Sequence, residues 1–426
     1  MSRFIESRRL FAATFLILAL ASPASSFDYG IILENETSGI LVADEDPEFD
    51  QRNDVLLFVG QDLTKDIEAL LRLRYRYTED DPFFWDIDTA VVQGVAPEGD
   101  GSTAVDLALG RTTVRDFSGA LLSEQADMIR WGVLRPNITL TAEAAYLGLR
   151  RNESSDIVLS TADIEDDADE SFFAPPRGLF GFEVGFPEQL GRQNLTLGAL
   201  YQHDFRDDGS PRVNTGYLGA GMVGPLSRFL FYDLFGYFAT GSVENDTGSR
   251  DPVAAWYTGG GILFFAEEAR FSRIQSRFVY ASGDADYASP VGVNTEGIGT
   301  GFPAITSPPL GEVVSPRVSN IAGGSFSYSF KPLAESRTVW SELQVAATAW
   351  AFFRPTSGPV AVPGTVSGGS DSFLGWETDL ALRFRPFSDL AVSLSGGYFR
   401  RPDNDAWLPG APEWQAVVKL FGAFSL

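Results

Sequence analysis

The stretch Leu70-Leu71-Arg72-Leu73-Arg74-Tyr75-Arg76-Tyr77-Thr78 alternates apolar and cationic side chains at a period of two. In an extended strand, residues two apart share a face. One face therefore carries Arg72, Arg74 and Arg76, and the other carries Leu71, Leu73, Tyr75 and Tyr77. Turned toward lipid at mid-depth, the arginines would cost about 2–4 kcal/mol each, while the apolar face would meet water. The opposite arrangement satisfies both faces. It is the wall of a transmembrane barrel whose interior is wet.

The same period returns on both sides of this stretch. Ile138 to Gly148 sets Ile138, Leu140, Ala142, Ala144 and Tyr146 against Thr139, Thr141 and Glu143. Phe326, Tyr328 and Phe330 alternate with Ser325, Ser327 and Ser329; Trp376, Leu380, Leu382 and Phe384 share a run with Glu377, Asp379, Arg383 and Arg385. The last stretch, Trp414 to Leu426, places Ala416, Val418, Leu420, Phe424 and Leu426 on one face. Soluble strands usually run about 5–6 residues. Alternation of this length, repeated segment after segment, predicts an all-β, antiparallel transmembrane barrel.

Strands are expected at 28–38, 53–63, 66–78, 83–95, 103–116, 127–135, 137–151, 178–187, 193–205, 212–223, 227–243, 252–266, 269–283, 321–332, 338–354, 371–385, 389–401 and 413–426. Eighteen is even, as single-chain bacterial barrels require. Connections after even-numbered strands are short and read as periplasmic turns: Thr64-Lys65, Ala96 to Ser102, Pro136, Glu188 to Arg192, Gly224-Pro225, Glu267-Glu268, Leu333 to Arg337 and Pro386 to Ser388. The long connections follow odd-numbered strands, chiefly 152–177, 284–320 and 355–370, and read as extracellular loops. A missed strand would have exchanged long for short along the rest of the chain. Aromatics near strand ends, among them Trp85, Trp131, Tyr201, Tyr280, Trp414 and Phe424, mark the interfacial girdles.

The N-terminus reads as a targeting segment. Arg3, Arg8 and Arg9 precede the apolar run Leu10 to Ala21, and the small residues Ala24, Ser25 and Ser26 follow. That is the order of a secretory signal peptide, and the run is short of the roughly 20 residues a spanning helix needs. The expected organisation is a signal peptide over 1–26 and a barrel over 27–426.

Composition narrows the chemistry. The chain has no Cys and one His, and its 57 acidic against 32 basic residues give a net charge of −25. Disulfides, thiolate zinc and multi-His metal centres are excluded, so neither a metal nor a cofactor is expected. Nucleic-acid binding needs a basic footprint that this chain lacks.

The charges on lumen-facing positions define the expected pore lining: Arg72, Arg74, Arg76, Asp86, Asp88, Arg130, Glu143, Arg273, Gln275, Arg277, Glu342, Glu377, Asp379, Arg383 and Arg385. A barrel of 16–18 strands leaves an aqueous channel. Two readings of the arginine row stand side by side, an anion-attracting lining and cross-strand ion pairs that stiffen the wall. A hairpin centred on Asp80 sets Arg74 opposite Asp86 and Arg72 opposite Asp88, and leaves Arg76 opposite Phe84 with its charge intact. Glu342, Glu377 and Asp379 are placed to neutralise Arg383 and Arg385 in the same way. The segment 284–319, stiffened by Pro303, Pro308, Pro309 and Pro316, is longer than a hairpin needs and is expected to fold inward as a constriction. The acidic runs 44–54 and 153–170 lack the glycine of a calcium loop and read as solvated outer loops.

The tract Tyr280-Ala281-Ser282-Gly283-Asp284-Ala285-Asp286, with Gly301-Phe302-Pro303-Ala304-Ile305 in the loop beyond, resembles the strand-to-loop passage of the alginate-export family of outer-membrane channels. The resemblance implies an eighteen-stranded barrel that exports or admits an anionic polysaccharide or other small solute, with lumen arginines contacting the anion. The many lumen acids depart from that pattern, so no particular substrate is carried over.

Other function classes fit less well. A gated receptor would need an N-terminal plug domain, but strand patterning starts almost at Phe27. A barrel hydrolase would need an activated nucleophile, and the one His, His203, sits at the outer end of a strand. The expected function is a non-enzymatic, porin-like channel for small or anionic solutes; the alternative is a structural or adhesive barrel without an open pore. Its expected partners are outer-membrane lipids, the barrel-assembly machinery at the C-terminal strand, and the solute.

Overall fold

The computed structural model describes residues 27–79, 81–99, 101–168, 171–206, 211–244, 250–287 and 297–426. Residues 1–26, where a signal peptide is expected, and the expected hairpin centre Asp80 lie outside the described residues.

Eighteen strands follow one another along the chain. They are β1 (Phe27–Val42), β2 (Glu48–Thr64), β3 (Ile67–Tyr77), β4 (Phe84–Glu98), β5 (Thr103–Arg115), β6 (Ser123–Arg135), β7 (Ile138–Tyr146), β8 (Arg177–Glu188) and β9 (Gln193–Asp204). The second half comprises β10 (Arg212–Pro225), β11 (Leu230–Glu244), β12 (Arg250–Ala266), β13 (Ser272–Ala281), β14 (Ile321–Phe330), β15 (Gln344–Phe353), β16 (Phe373–Phe387), β17 (Leu390–Arg400) and β18 (Trp414–Ser425). Each strand pairs antiparallel with the next, and β18 pairs with β1, from Ile32 opposite Ser425 to Val42 opposite Gln415. Closure removes every sheet edge, the condition for strands to cross a membrane. Short turns alternate with long loops as expected, the longest loops being 147–176 and 282–320.

Outward positions are large and apolar. Leu218, Leu380, Ile129 and Phe326 are each more than half exposed. On a water-soluble protein such a belt would be an aggregation surface; around a closed barrel it is the lipid-facing band. Aromatic pairs close the band, with Trp376–Tyr398–Trp414 and Tyr75–Trp85 toward the loop end, and Phe27–Tyr29 and Phe231–Phe265 toward the turn end.

Several strand boundaries differ from the expectation. β1 runs on to Val42 and β2 begins at Glu48, so most of the acidic run 44–54 is strand and not loop. β6 begins at Ser123, which shortens the loop before it, and β7 ends at Tyr146, which lengthens the loop after it. β15 begins at Gln344, because Val339–Glu342 forms a single turn of 3-10 helix instead. The Trp340 ring stacks on Phe384 at 4.7 Å, and Lys331 Nζ donates to Glu342 at 2.7 Å. Those contacts hold the segment as a turn, so Glu342 is not part of the barrel wall.

Candidate functional site

The face that points inward is fixed by contacts that only the lumen permits. Tyr237 of β11 donates its hydroxyl to Asp116, which follows β5, although the two strands are not neighbours in the sheet. Register carries this face around the wall. Tyr237 lies opposite Gly219, Gly219 opposite Gly198, and Gly198 opposite Glu183. In the other direction Tyr257, Ala281 and the alternate residues Arg277, Gln275 and Arg273 follow, then Ser325, Trp350 and Glu377. The same face on β1 to β3 carries Glu34, Asp54 and Arg76.

The arginine row is paired, with a different geometry from the sequence reading. Arg74 does lie opposite Asp86, but a bulge at Asp88 moves Arg72 opposite Thr89. Arg74 Nη2 donates to Asp88 at 2.7 Å, and Arg72 Nη1 lies 3.6 Å from it. Arg76 faces Phe84 yet does not keep an unpaired charge, since its Nε donates to Asp54 of β2 at 2.9 Å. Arg52 also reaches Asp54, at 3.1 Å. Asp86 instead accepts from Ser154 of the 147–176 loop and lies 3.6 Å from Arg111. Thus four guanidiniums share two carboxylates. Side chains of Asp54 and Asp88 are 1% and 6% exposed, against 37%, 36%, 24% and 21% for Arg52, Arg72, Arg74 and Arg76. The acids sit in the wall and the cations face the lumen. Glu34 and Glu36 of β1 share that inward face beside the row.

Elsewhere the inward charges have separate partners. Arg130 Nε lies 3.0 Å from Asp106, with Glu143 opposite in register. Arg277 donates to Asp233 at 3.2 Å, and Arg273 to Gln275 at 2.9 Å. The acids of β16 do not neutralise its arginines. Glu377 and Asp379 face the 282–320 loop, Arg385 donates to the Ser388 carbonyl, and Arg383 lies opposite Gln344.

Three loops fold into the barrel. The 116–122 loop, whose inward course the alternation did not reveal, is tied by the Asp116 carboxylate, which accepts from the amides of Ser118, Leu121 and Leu122 besides Tyr237. Phe117 stacks on Tyr237 at 5.2 Å, in space left by small residues. A Cβ at Gly219 would come within 2.4 Å of Tyr237 and 2.9 Å of Phe117. In the 147–176 loop, helix α1 (Thr161–Ala168) brings Asp163 onto Arg177 at 2.7 Å. The 282–320 loop crosses the lumen. Tyr217 of β10 donates to the Pro303 carbonyl, Thr306 bonds to Leu121 and Ser123, and Glu312 lies 3.3 Å from Lys419 of β18.

Leu121, Leu122, Phe302, Ile305 and Val318 from these loops are buried with Tyr217, Tyr237 and Tyr257 of the wall. The β10–β13 side of the lumen is therefore a packed core, and the packing reaches Val91, Ala108, Ala126 and Met128 of β4–β6. The charged rows lie on β1–β4, and at the turn end a polar cavity of about 430 Å³ is lined by residues including Asp62, Lys65, Glu68, Gln93, Asp106 and Arg130.

Glu377 is the wall's main hold on the crossing loop, accepting from the amides of Val313 and Val314 at 2.9 and 2.8 Å. Losing a buried acceptor costs about 1–3 kcal/mol per stranded donor. Glu377→Leu is expected to loosen the loop and raise single-channel conductance in planar bilayers, with Glu377→Gln, which keeps one acceptor oxygen, in between. An unchanged conductance in Glu377→Leu would show that this loop does not narrow the passage.

His203 lies on the outward face of β9, its ring 4.7 Å from Phe205 and 6.2 Å from Tyr201. The Tyr201 hydroxyl lies 3.5 Å from the His203 Nδ1.

No family model matches the chain, and no curated protein does. Solved structures do. Pseudomonas aeruginosa OccK5 (OpdH) is similar with a TM-score of 0.58 at 11% identity, over 94% of this chain and 98% of that one. Pseudomonas aeruginosa OpdL is similar with a TM-score of 0.58 at 14% identity, again over 94% and 98%. OccK2 (OpdF) of the same organism, in complex with glucuronate, has a TM-score of 0.56 at 13% identity, over 94% and 98%. The fold is that of these structures, a porin-like barrel of eighteen antiparallel strands; the similarity does not single out the alginate-export family.

Proposed function

We propose that the chain is a non-enzymatic outer-membrane channel for small solutes, favouring those that carry an anionic group. The observation that carries this reading is the layering of the β2–β3 wall, where half-buried guanidiniums overlie almost fully buried carboxylates. A solute passing along this wall meets donors first, and guanidinium forks match carboxylate oxygens. Glu34 and Glu36 restrain the effect, so the expected selectivity is modest. The glucuronate held by one similar structure belongs to this solute class. The alginate-export resemblance extends the reading to an anionic polysaccharide, but a lumen crossed by three packed loops suits small solutes better. In this account residues 1–26 direct export, β18 engages the assembly machinery, and the apolar band meets lipid.

Swelling of liposomes reconstituted with the protein tests it. Glucuronate is expected to enter faster than glucosamine, its cationic counterpart of similar size, with glucose between. Rates equal to those of protein-free liposomes for all three would refute the channel.

A further inference from the structure

Arg400 ends β17 on the outward face. The ladder sets it directly opposite Trp376 of β16 and Trp414 of β18, two outward members of the aromatic band at the loop end. Tyr398, one step toward the mid-plane, lies between the same two rings, 5.7 Å from Trp376 and 6.1 Å from Trp414. Arg400 is exposed, and among the described residues its side chain has no hydrogen-bond or ion-pair partner. Outward cations elsewhere at the loop end are neutralised, since Arg212 and Arg250 both donate to Glu244. Asp403 and Glu413, in the loop that follows Arg400, are exposed and do not bond to it.

Below Arg400 the same face opens a slot along β17. Gly396 lies opposite Leu380 on one side and Val418 on the other. Those two side chains are 61% and 48% exposed, with no side chain between them. Strands on either side of β17 stand about 10 Å apart, which leaves room for one hydrocarbon chain. The slot runs along the strand from the aromatic band into the apolar one, the course of an acyl chain and not of a folded partner.

We propose that Arg400, set between Trp376 and Trp414, binds the phosphate of an outer-leaflet lipid whose acyl chain lies over Gly396. A guanidinium fork matches phosphate oxygens, and tryptophan rings sit at the level of the head groups. The lipid thus meets a cation at its head and a slot at its chain, where the rest of the band offers apolar surface alone. The assignment rests on the lipid-facing reading of that band and not on conduction.

Native mass spectrometry of the delipidated full-length barrel in detergent tests it. The probes are dioleoyl phosphatidate and dioleoylglycerol, which differ only in the phosphate. Wild type should retain one phosphatidate at concentrations where it retains no dioleoylglycerol. Arg400→Gln should raise the half-saturating phosphatidate concentration about tenfold. Arg400→Lys keeps the charge without the fork, should fall between, and serves should the Gln variant fail to assemble. Arg135→Gln, which removes an exposed arginine at the turn end of β6, should bind as the wild type does. Equal phosphatidate retention in wild type and Arg400 variants, equal retention of the two lipids, or an equal loss in Arg135→Gln would each overturn the seat. So would displacement of phosphatidate by inorganic phosphate at the same concentration, because the chain would then contribute nothing. A barrel that never conducts yet holds phosphatidate through Arg400 would support the seat and refute only the channel.

Discussion

Replacing Arg177 with alanine should unseat the 147–176 loop while leaving the barrel closed. Arg177 opens β8 with its side chain 1% exposed, and its Nη2 donates to both oxygens of Asp163 at 2.7 Å and to Asp204 at 3.2 Å. Arg206 reaches the same two acids and Asp166, so two guanidiniums and two buried carboxylates form a closed set. Removing one partner of a buried pair costs about 3–5 kcal/mol, mostly because the other charge is left buried alone. The loss falls on the loop, since the strands keep their ladders. Hydrogen exchange is the readout: amides of 157–166 should exchange faster in Arg177→Ala, and those of β8 and β9 should not. Arg177→Lys keeps the charge but not the fork and should fall between.

The same set gives a pH dependence with a definite sign. Burial raises the Asp163 carboxyl, but Arg177 and Arg206 outweigh it and hold the group below its ordinary 3.8. A group depressed in the folded state contributes stability above its unfolded value and loses it as pH falls through the folded one. The loop should therefore stay seated from neutral pH down past 3.8, and release only in stronger acid. In Arg177→Ala, release should move to higher pH.

The second large effect is on ion selectivity. The triple substitution Arg72/Arg74/Arg76→Ser removes three cations and leaves Asp54, Asp88, Glu34 and Glu36 with Arg52. In a narrow, low-dielectric passage, fixed charges act far more strongly than in bulk water. Acidic residues at the outer rim are screened beyond about 8 Å at physiological salt, so the wall should dominate. Reversal potentials in a salt gradient should move from weak anion preference to cation preference, a change of about tenfold in permeability ratio, or about 1.4 kcal/mol. Arg72→Ser alone, the member farthest from its carboxylate at 3.6 Å, should move in the same direction with less risk to folding. Selectivity unmoved by either variant would reduce the row to wall-stiffening ion pairs.

What was legible in the sequence was what strand geometry writes at a period of two. Arg72, Arg74 and Arg76 could be assigned a face because their neighbours left no alternative, and loop parity held the strand count. A period of two cannot register a bulge, so it sets Arg72 opposite Asp88 where the ladder has Thr89; Arg72 still lies 3.6 Å from that carboxylate, which Arg74 shares. The period also ran past the end of the wall at Val339–Glu342, where Trp340 had a ring on Phe384 to stack against. The connection after β5 was legible but its fold into the barrel was not, because its hold is remote: Asp116 meets Tyr237 across the lumen, 121 residues along the chain. A sequence trace of it existed in Gly219 and Gly221, inward positions with no side chain, where the Phe117 ring is housed.

Water should pass between the charged β1–β3 wall and the three inward loops. Single-channel recording of the wild-type protein in planar bilayers tests it most directly. The prediction is discrete conductance steps with a reversal potential on the anion side in a potassium chloride gradient. The contradicting result is a silent membrane, from the wild type and from a variant with the crossing loop shortened between Phe302 and Val318, because a barrel that stays closed without that loop is a structural object and not a channel.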